Sequence, residues 1–501
     1  MRRSVALVLL TMVLAALTFV SAAYADPNNN NSAKLRDAVT LEGVRAHQLA
    51  LQEIADANGG NRFSGLPGYD ESVAYVVDKL EAAGYDPVIQ PFDYLAYGEV
   101  GPSILQQTAP SAVTYVEGVD FGAITQTDPG DRTAPVTAVD LQLGLGNTST
   151  SGCETSDFAG FPVGNIALLQ RGTCTFELKA ENAAAAGAVG IVIFNQGNTV
   201  APDRNGIPAV TLTANNTSGI PVLGTTYALG VTLAGTPGLV MRVFANTLRQ
   251  ISQTFNVLAE LPGKNPDNVV MVGAHLDSVI EGPGIQDNGS GSAAILEVAE
   301  QMEKVKPWNT VRFAWWGAEE SGLVGSTFYV NSLDDAELER IALYLNFDMV
   351  GSPNFVRFVY DGSGDIGPTG PAGSTQIEDV FNGYFAANGL ATEPTAFDGR
   401  SDYQAFINNG IPAGGLFTGA EGIKTPAQAA IYGGTAGAAY DPCYHQACDT
   451  FANVNTVVLD QMSDAIAHTT ITFAQNTSIV NGVPGKGNFN SPEKINGKSI
   501  R

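Results

Sequence analysis

The 501-residue chain is poor in basic side chains, histidine and cysteine, and each shortage narrows the functions open to it. Its 25 lysines and arginines face 50 aspartates and glutamates, which gives a formal net charge of −25. Such acidity argues against nucleic acid and against stable association with anionic membranes. It favours solubility outside the cell.

Only four histidines are present. His47 and His468 fall within helical patterns and are expected to be structural. The stretch from about Gly101 to Phe244 has no histidine at all, so we expect it to contribute no catalytic or metal-binding imidazole. His275 and His445 remain as the candidates for chemistry.

Long apolar runs are lacking after the first 25 residues, and no later run is long enough to span a bilayer. The start of the chain has the pattern of a signal peptide: Arg2-Arg3, an apolar stretch from Val5 to Val20, and a small-x-small site at Ala23-Tyr24-Ala25. We therefore expect a secreted, extracellular protein. An uncleaved membrane anchor is the alternative reading of the same residues.

The four cysteines are expected to form disulfides, as an even number does behind a signal peptide. Proximity in the sequence suggests the pairs Cys153–Cys174 and Cys443–Cys448. Neither pair has the C-x2-C spacing of a zinc site, and the two pairs lie far apart, which argues against a four-cysteine metal site.

The order of strand and helix patterns predicts an α/β fold, with a mixed, mostly parallel sheet flanked by helices. Predicted elements after residue 254 are strands or helices at Phe255–Leu261, Asn268–Gly273, Ser292–Lys304, Thr310–Trp316, Gly325–Asn331, Glu337–Arg340, Ile341–Met349, Thr375–Asn388 and Leu459–Phe473. Between about 101 and 244 the composition changes to short β-like runs, which indicates an inserted β-rich domain. The predicted division is 1–25 signal peptide, 26–100 first part of the main domain, 101–244 insertion, 245–478 main domain and 479–501 polar tail.

The first motif lies where a buried strand ends. His275 and Asp277 close the apolar run that starts at Asn268, and Asp287 stands at the start of the next helix after a Gly/Pro loop. In an open α/β sheet, ligands bind beyond the carboxyl ends of the strands. These side chains are therefore expected to converge on one point.

Three further motifs carry metal-ligand side chains. Glu319-Glu320 follows an apolar strand, and since neighbouring side chains in extended backbone point to opposite sides, the two carboxylates can do separate tasks. Asp348 lies in an apolar strand, where a carboxylate is costly to bury unless it is paired or bound to metal. His445 lies between Cys443 and Cys448, so a disulfide there would constrain the loop that carries it.

In this order and context, the motifs resemble those of the secreted two-zinc aminopeptidases, which include leucyl-type enzymes and aminopeptidase Y. The resemblance covers roughly Leu35–Gly98 and Thr254–Gln475. It implies two Zn²⁺ per chain, although cobalt or manganese can substitute. The implied ligands are Asp287 as the bridge between the ions, His275 and Asp348 on one ion, and Glu320 and His445 on the other.

The same resemblance implies further roles. Glu319 would be the general base, and Asp277 would orient His275 from the same strand face. Tyr444 resembles the phenol that supports the oxyanion, and Arg400 resembles a residue lining the substrate site. The stretch from Cys153 to Gly197 resembles the protease-associated domain, a small module inserted into peptidases; a generic βαβ unit is the alternative.

The expected function is removal of the N-terminal residue from peptides with a free amino terminus, by a chain that acts as a monomer. Alternatives are a related zinc carboxypeptidase, a glutaminyl cyclase of the same fold, and a non-catalytic binding module. The last predicts lost ligands, whereas every one of them is present.

Overall fold

The protein folds around two eight-stranded sheets. The structure, a computed structural model, describes residues 32–486, so the expected signal peptide at 1–25 lies outside the described residues. The strands are β1 (Val88–Glu99), β2 (Ile104–Ala109), β3 (Val113–Thr114), β4 (Phe121–Ala123), β5 (Gly130–Ala138), β6 (Ile166–Gln170), β7 (Gly190–Phe194), β8 (Val222–Thr225), β9 (Val240–Ala245), β10 (Thr247–Leu261), β11 (Asn265–His275), β12 (Asn309–Trp316), β13 (Ile341–Phe347), β14 (Phe358–Tyr360), β15 (Glu393–Thr395) and β16 (Ala413–Phe417).

Helices cover both faces of the first sheet and join its strands. They are α1 (Ala33–Arg36), α2 (Leu41–Ala57), α3 (Pro67–Ala83), α4 (Phe176–Ala185), α5 (Tyr227–Ala234), α6 (Gly289–Met302), α7 (Val324–Ser332), α8 (Asp335–Arg340), α9 (Ser374–Ala387), α10 (Tyr403–Asn408), α11 (Pro426–Tyr432), α12 (Thr456–Gln475) and α13 (Ser478–Asn481). Two short 3₁₀ helices span Thr155–Phe158 and Pro202–Arg204. The helices α4 and α5 belong to the second sheet's domain.

The first sheet has the strand order β1-β10-β12-β11-β13-β16-β14-β15. Its four central strands, β12, β11, β13 and β16, run parallel, while β1 and β10 pair antiparallel with their neighbours. Strand β14 pairs antiparallel with β16 and parallel with β15. The α/β class with a mixed sheet is thus as predicted. The carboxyl ends of β11, β12 and β13 meet at one edge of the sheet.

The central strand β11 is apolar at successive positions because both of its faces are covered. Val270 and Val272 pack on one side with residues of α6 and α12. Val269 and Met271 pack on the other side in an aromatic cluster that includes Trp316. This burial on both faces explains why the strand reads as a continuous apolar run, as parallel strands in α/β proteins do.

The second sheet is built from the chain between β1 and β10. These two strands pair along their full length, from Val88 with Leu258 to Glu99 with Thr247, so the two ends of the intervening segment leave from the same place. The segment forms the strand order β3-β2-β9-β5-β6-β7-β8-β4, with β5 to β8 parallel. It is therefore a separate domain, rich in strands as predicted, with its own core on each face of the sheet.

The end of the chain differs from the prediction of a polar tail starting at 479. Residues 478–481 form α13, and Ile479 and Val480 pack against the main core. Asn481 donates a hydrogen bond from Nδ2 to Asn268 Oδ1 at 2.7 Å. Residues 487–501 lie outside the described part of the chain.

Both disulfides predicted from proximity are present, Cys153–Cys174 and Cys443–Cys448. Between residues 32 and 486, none of the helices combines the length and the apolar character needed to cross a bilayer.

Candidate metal centre

Six side chains from distant parts of the sequence meet at the carboxyl edge of the first sheet. His275 ends β11, the Glu319-Glu320 pair follows β12, and Asp348 follows β13. Asp287 lies just before α6, and His445 comes from the loop closed by the Cys443–Cys448 disulfide. The structure thus brings together all five predicted ligands and the predicted base.

One half of the cluster surrounds His275. Its Nε2 lies 3.2 Å from Asp287 Oδ1 and 3.4 Å from Asp348 Oδ1. Glu319 Oε2 is further away, at 3.9 Å. His275, Asp287 and Asp348 therefore stand at the spacing of ligands to one ion, with Glu319 beside them.

The other half surrounds His445, whose Nε2 lies 3.0 Å from Glu320 Oε2 and 3.3 Å from Asp287 Oδ2. Asp287 therefore presents Oδ1 to His275 and Oδ2 to His445. A carboxylate that directs one oxygen to each of two imidazoles has the geometry of a bridge between two cations.

The residues fit cations on chemical grounds as well. Four carboxylates face only two imidazoles, and Glu320 Oε1, Asp348 Oδ1 and His275 Nδ1 are buried without a hydrogen-bond partner. Buried polar groups left in this way are costly unless something else satisfies them. Imidazole nitrogen and carboxylate oxygen in this mixture are ligands that zinc accepts readily.

The backbone turns sharply where it presents these groups. Ala318, Met349 and His445 have positive φ angles of 53°, 54° and 55°. Residues other than glycine occupy this region at a cost, and they concentrate at functional sites. At each of these points the chain changes direction. The surrounding structure therefore holds a ligand-bearing residue or its neighbour in a strained backbone conformation.

Asp277 contributes more than predicted. Its Oδ1 lies 3.5 Å from His275 Nδ1, which is long for a hydrogen bond. The same carboxylate accepts from the backbone amides of Glu319 at 3.2 Å and Glu320 at 3.4 Å. Asp277 thus ties the turn that carries both glutamates to the end of β11, while its predicted role of orienting His275 stays a prediction.

Two residues that the sequence analysis did not single out hold the loop between His275 and Asp287. Asp449 accepts from the backbone amides of Gln286 and Asp287, both at 2.9 Å. Arg62 is fully buried and donates to the carbonyls of Leu276, Pro283 and Gly284. Asp449 directly follows Cys448, and this closeness to His445 is the one sequence signal that could have marked it.

A third such residue, Ser401, donates from Oγ to Asp348 Oδ2 at 2.6 Å. That bond leaves Oδ1 of the same carboxylate directed at His275. Ser401 thereby fixes which oxygen of Asp348 faces the centre.

Glu319, the predicted base, and Tyr444, the predicted partner of the oxyanion, both line a cleft of about 250 Å³ that opens onto the centre. Burial raises the pKa of Glu319 well above its usual range, and the carboxylates of Asp402, Glu320 and Asp348 add to this while His275 opposes it. A carboxylate with a raised pKa is a stronger proton acceptor. Tyr444 stacks on the His445 ring, with centroids 3.8 Å apart.

Arg400 lies on the same wall, bound to its neighbours. It donates to Glu421 Oε1 at 2.8 Å and to the Tyr444 hydroxyl at 3.1 Å. The remainder of the wall is largely apolar and includes Phe358, Phe417 and Tyr440. The cleft is thus lined both by the charged groups of the centre and by aromatic side chains.

The chain matches the models of two known protein families. Residues 256–470 match the model of peptidase family M28, and residues 132–233 match that of the PA domain. The first range contains all six side chains of the centre. The second lies within the domain of the second sheet.

Similar proteins extend over most of the chain. An aminopeptidase of Pseudomonas aeruginosa is 56% identical over 431 residues, which are 86% of this chain and 80% of that protein. Leucine aminopeptidase 2 of Trichophyton equinum is 39% identical over 451 residues, covering 88% and 86%. The solved aminopeptidase from Aneurinibacillus sp. strain AM-1 has a TM-score of 0.61 at 26% identity, covering 87% and 95%.

The Cys443–Cys448 bridge can be tested as the support of His445. Replacing both cysteines by serine frees the loop, so we expect zinc affinity to fall about 10-fold or more, the scale seen when groups that orient a ligand are removed. The melting temperature should change little because the closed loop is short. Zinc retention against a chelator and calorimetry measure the two effects.

The matched control is the double serine variant of Cys153 and Cys174. That bridge lies in the second domain, so its loss should leave zinc affinity unchanged. Equal zinc affinity in the Cys443/Cys448 variant and the unaltered protein would contradict a positioning role for the bridge.

Proposed function

Because the chain belongs to peptidase family M28, we propose that it is a two-zinc aminopeptidase that removes the N-terminal residue of peptides. Two ions are supported by the position of Asp287, because one of its oxygens faces His275 and the other faces His445. One ion would be held by His275, Asp287 and Asp348, and the other by Asp287, Glu320 and His445. When bound, the pair supplies Lewis-acid activation of water and of the scissile carbonyl.

Glu319 is suited to transfer a proton from the attacking water to the leaving amine. Its carboxylate lies beside the His275 half of the centre and faces the cleft, where an attacking water must stand. As general base it takes a proton from that water and returns it to the amine that leaves.

Tyr444 is placed to donate a hydrogen bond to the oxyanion that develops on the substrate carbonyl. Burial, followed by the charges of Asp287 and Glu320, raises its pKa, so the hydroxyl keeps its proton. Arg400 donates to the same hydroxyl and is itself held by Glu421. Arg400 therefore acts on the substrate through Tyr444, by fixing where the phenol points.

The charge of the cleft favours an amino terminus over a carboxyl terminus. Glu319, which is not a proposed zinc ligand, lines the cleft, and its carboxylate can pair with a substrate ammonium. A carboxypeptidase needs a free cation for the substrate carboxylate, whereas Arg400 is already paired with Glu421. A non-catalytic module would not need Glu319 beside a complete set of ligands.

The apolar wall suggests which N-terminal residues fit. Phe358, Phe417 and Tyr440 line the same cleft as the centre and can contact an aliphatic side chain. The fungal relatives bear the name leucine aminopeptidase, which agrees with such a pocket. We propose a preference for large apolar N-terminal residues.

Secretion and a monomeric state complete the proposal. The motif at residues 1–25 supports export, and two disulfides without any free cysteine suit an oxidising compartment.

Glu319→Gln tests the division of labour between the two neighbouring glutamates. Glutamine keeps the shape but accepts no proton, so turnover should fall by at least ~10²-fold, the usual scale for a general base. Zinc content should remain at two per chain, measured by mass spectrometry of the metal. Glu320→Gln is the comparison and should lose zinc; a reversed result would exchange the two assignments.

Substrate choice tests the cleft. Leucyl-nitroanilide should be cleaved with a kcat/KM about 10-fold or more above that of the alanyl substrate, within the range that a few methylene groups give in an apolar pocket. Acetylation of the leucine nitrogen should abolish cleavage, because the ammonium is lost. Phe358→Ala should lower kcat/KM for leucyl and spare alanyl substrate; an equal loss for both would exclude Phe358 as part of the pocket.

A further inference from the structure

A second cluster of metal-ligand side chains lies away from the cleft, where α2 packs against α6. His47 comes from α2, and Glu297 and Glu300 come from successive turns of α6. Asp287 precedes α6, and Glu297 is eight residues beyond its first residue, Gly289, or about 12 Å along the helix. The cluster is therefore separate from the metal centre.

The imidazole of His47 is directed between the two carboxylates. Its Nε2 lies 3.6 Å from Glu297 Oε2 and 3.7 Å from Glu300 Oε2. Both gaps exceed a hydrogen bond, and this Nε2 has no hydrogen-bond partner although the side chain is only 4% exposed. A protonated imidazole would normally close on one carboxylate at hydrogen-bond distance.

The same gaps suit ligands of one ion. Two ligands of a tetrahedral zinc, each about 2.0–2.1 Å from the metal, are about 3.3 Å apart. In the metal centre, His275 Nε2 lies 3.2 Å and 3.4 Å from its carboxylate neighbours. The spacing at His47 is slightly wider but of the same kind.

Neighbouring groups fix two of the three side chains. His47 Nδ1 is 2.7 Å from the Tyr75 hydroxyl, and donating to it leaves the lone pair on Nε2 free. Glu297 accepts at its other oxygen, Oε1, from Gln301 at 3.3 Å and from the Thr40 amide at 3.4 Å. Its Oε2 is thereby left for His47.

Gly43 makes the space for this carboxylate. A Cβ at this position of α2 would stand 2.4 Å from Glu297 Cδ and 2.5 Å from both of its oxygens. Only glycine allows the helix to pass so close. The carboxylate thus sits in a cradle that any other residue at position 43 would fill.

We propose that His47, Glu297 and Glu300 bind a third divalent cation, zinc or manganese, that joins α2 to α6. One imidazole and two carboxylates are a ligand set that both metals accept. The Glu300 side chain is 24% exposed, so the ion can enter from solvent and complete its coordination with water. The role is structural, because the cluster does not line the cleft.

A proton is the competing occupant of the same Nε2. Burial lowers the pKa of His47, but the charges and contacts of Glu297 and Glu300 outweigh this and raise it on balance. The alternative is therefore a charged imidazole between two carboxylates, with no metal.

The test compares the unaltered chain with Glu300→Gln, and uses Glu303→Gln as the matched control on the exposed end of the same helix. Each protein is equilibrated with zinc, and separately with manganese, freed of excess ion and measured by mass spectrometry of the metal. Glu300→Gln should hold one ion per chain fewer than the other two. Glu300 is partly exposed, so this variant is expected to fold; His47→Gln gives a second, independent loss of the same ion.

A difference of one ion supports the site whatever the number bound at the catalytic centre, because all variants share that centre. Added metal should also raise the melting temperature of the unaltered chain and of Glu303→Gln by a step that Glu300→Gln lacks. Equal metal content in all the proteins would overturn the proposal and leave the imidazolium pairing. If the proposed two-zinc centre were wrong, the zinc content would be lower in every protein alike.

Discussion

Repulsion among four buried carboxylates is the constraint on which the rest of this structure depends. Asp287, Glu319, Glu320 and Asp348 lie within a few ångströms of two imidazoles that cannot neutralise them all. Burial makes such repulsion stronger because the surrounding dielectric is low. The cations proposed for this centre would relieve the repulsion, so the fold has to hold the groups together until the cations bind.

The means of holding them are mostly backbone contacts. Asp277 and Asp449 accept from amides of the segments that carry the acidic groups, and Arg62 donates to the carbonyls of the loop between them. The Asp277 contacts link the carboxyl end of β11 to that of β12, whereas Asp449 and Arg62 tie the loop after β11 to segments outside the sheet. The central strand supplies the rigidity, since both of its faces are packed.

The candidate ligands could be picked out of the sequence because each lies where a polar group is unusual. His275 ends an apolar strand, Asp348 follows one, and His445 lies between cysteines, so the resemblance to the aminopeptidase family and to the PA domain could be stated, and both are confirmed.

The strand β16 was missed because its residues, Ala-Gly-Gly-Leu-Phe, have low strand propensity. Of its two glycines, Gly415 is required by packing, because a Cβ there would lie 1.8 Å from the carbonyl oxygen of Asn346 on β13. Arg62 gave no signal either, since its partners are carbonyl groups that no side-chain pattern encodes.

Helix α6 shows how the same types of ligand can serve two purposes, one catalytic and one structural. Its start follows Asp287, which faces an open cleft with a base and a phenol at hand. Its later turns carry Glu297 and Glu300 against α2, where Gly43 and Thr40 enclose one carboxylate. An ion held there has neither a proton acceptor such as Glu319 nor room for a peptide. Chemistry is therefore confined to the sheet edge by access and by the position of one glutamate, whereas ligand type alone would permit it at both places.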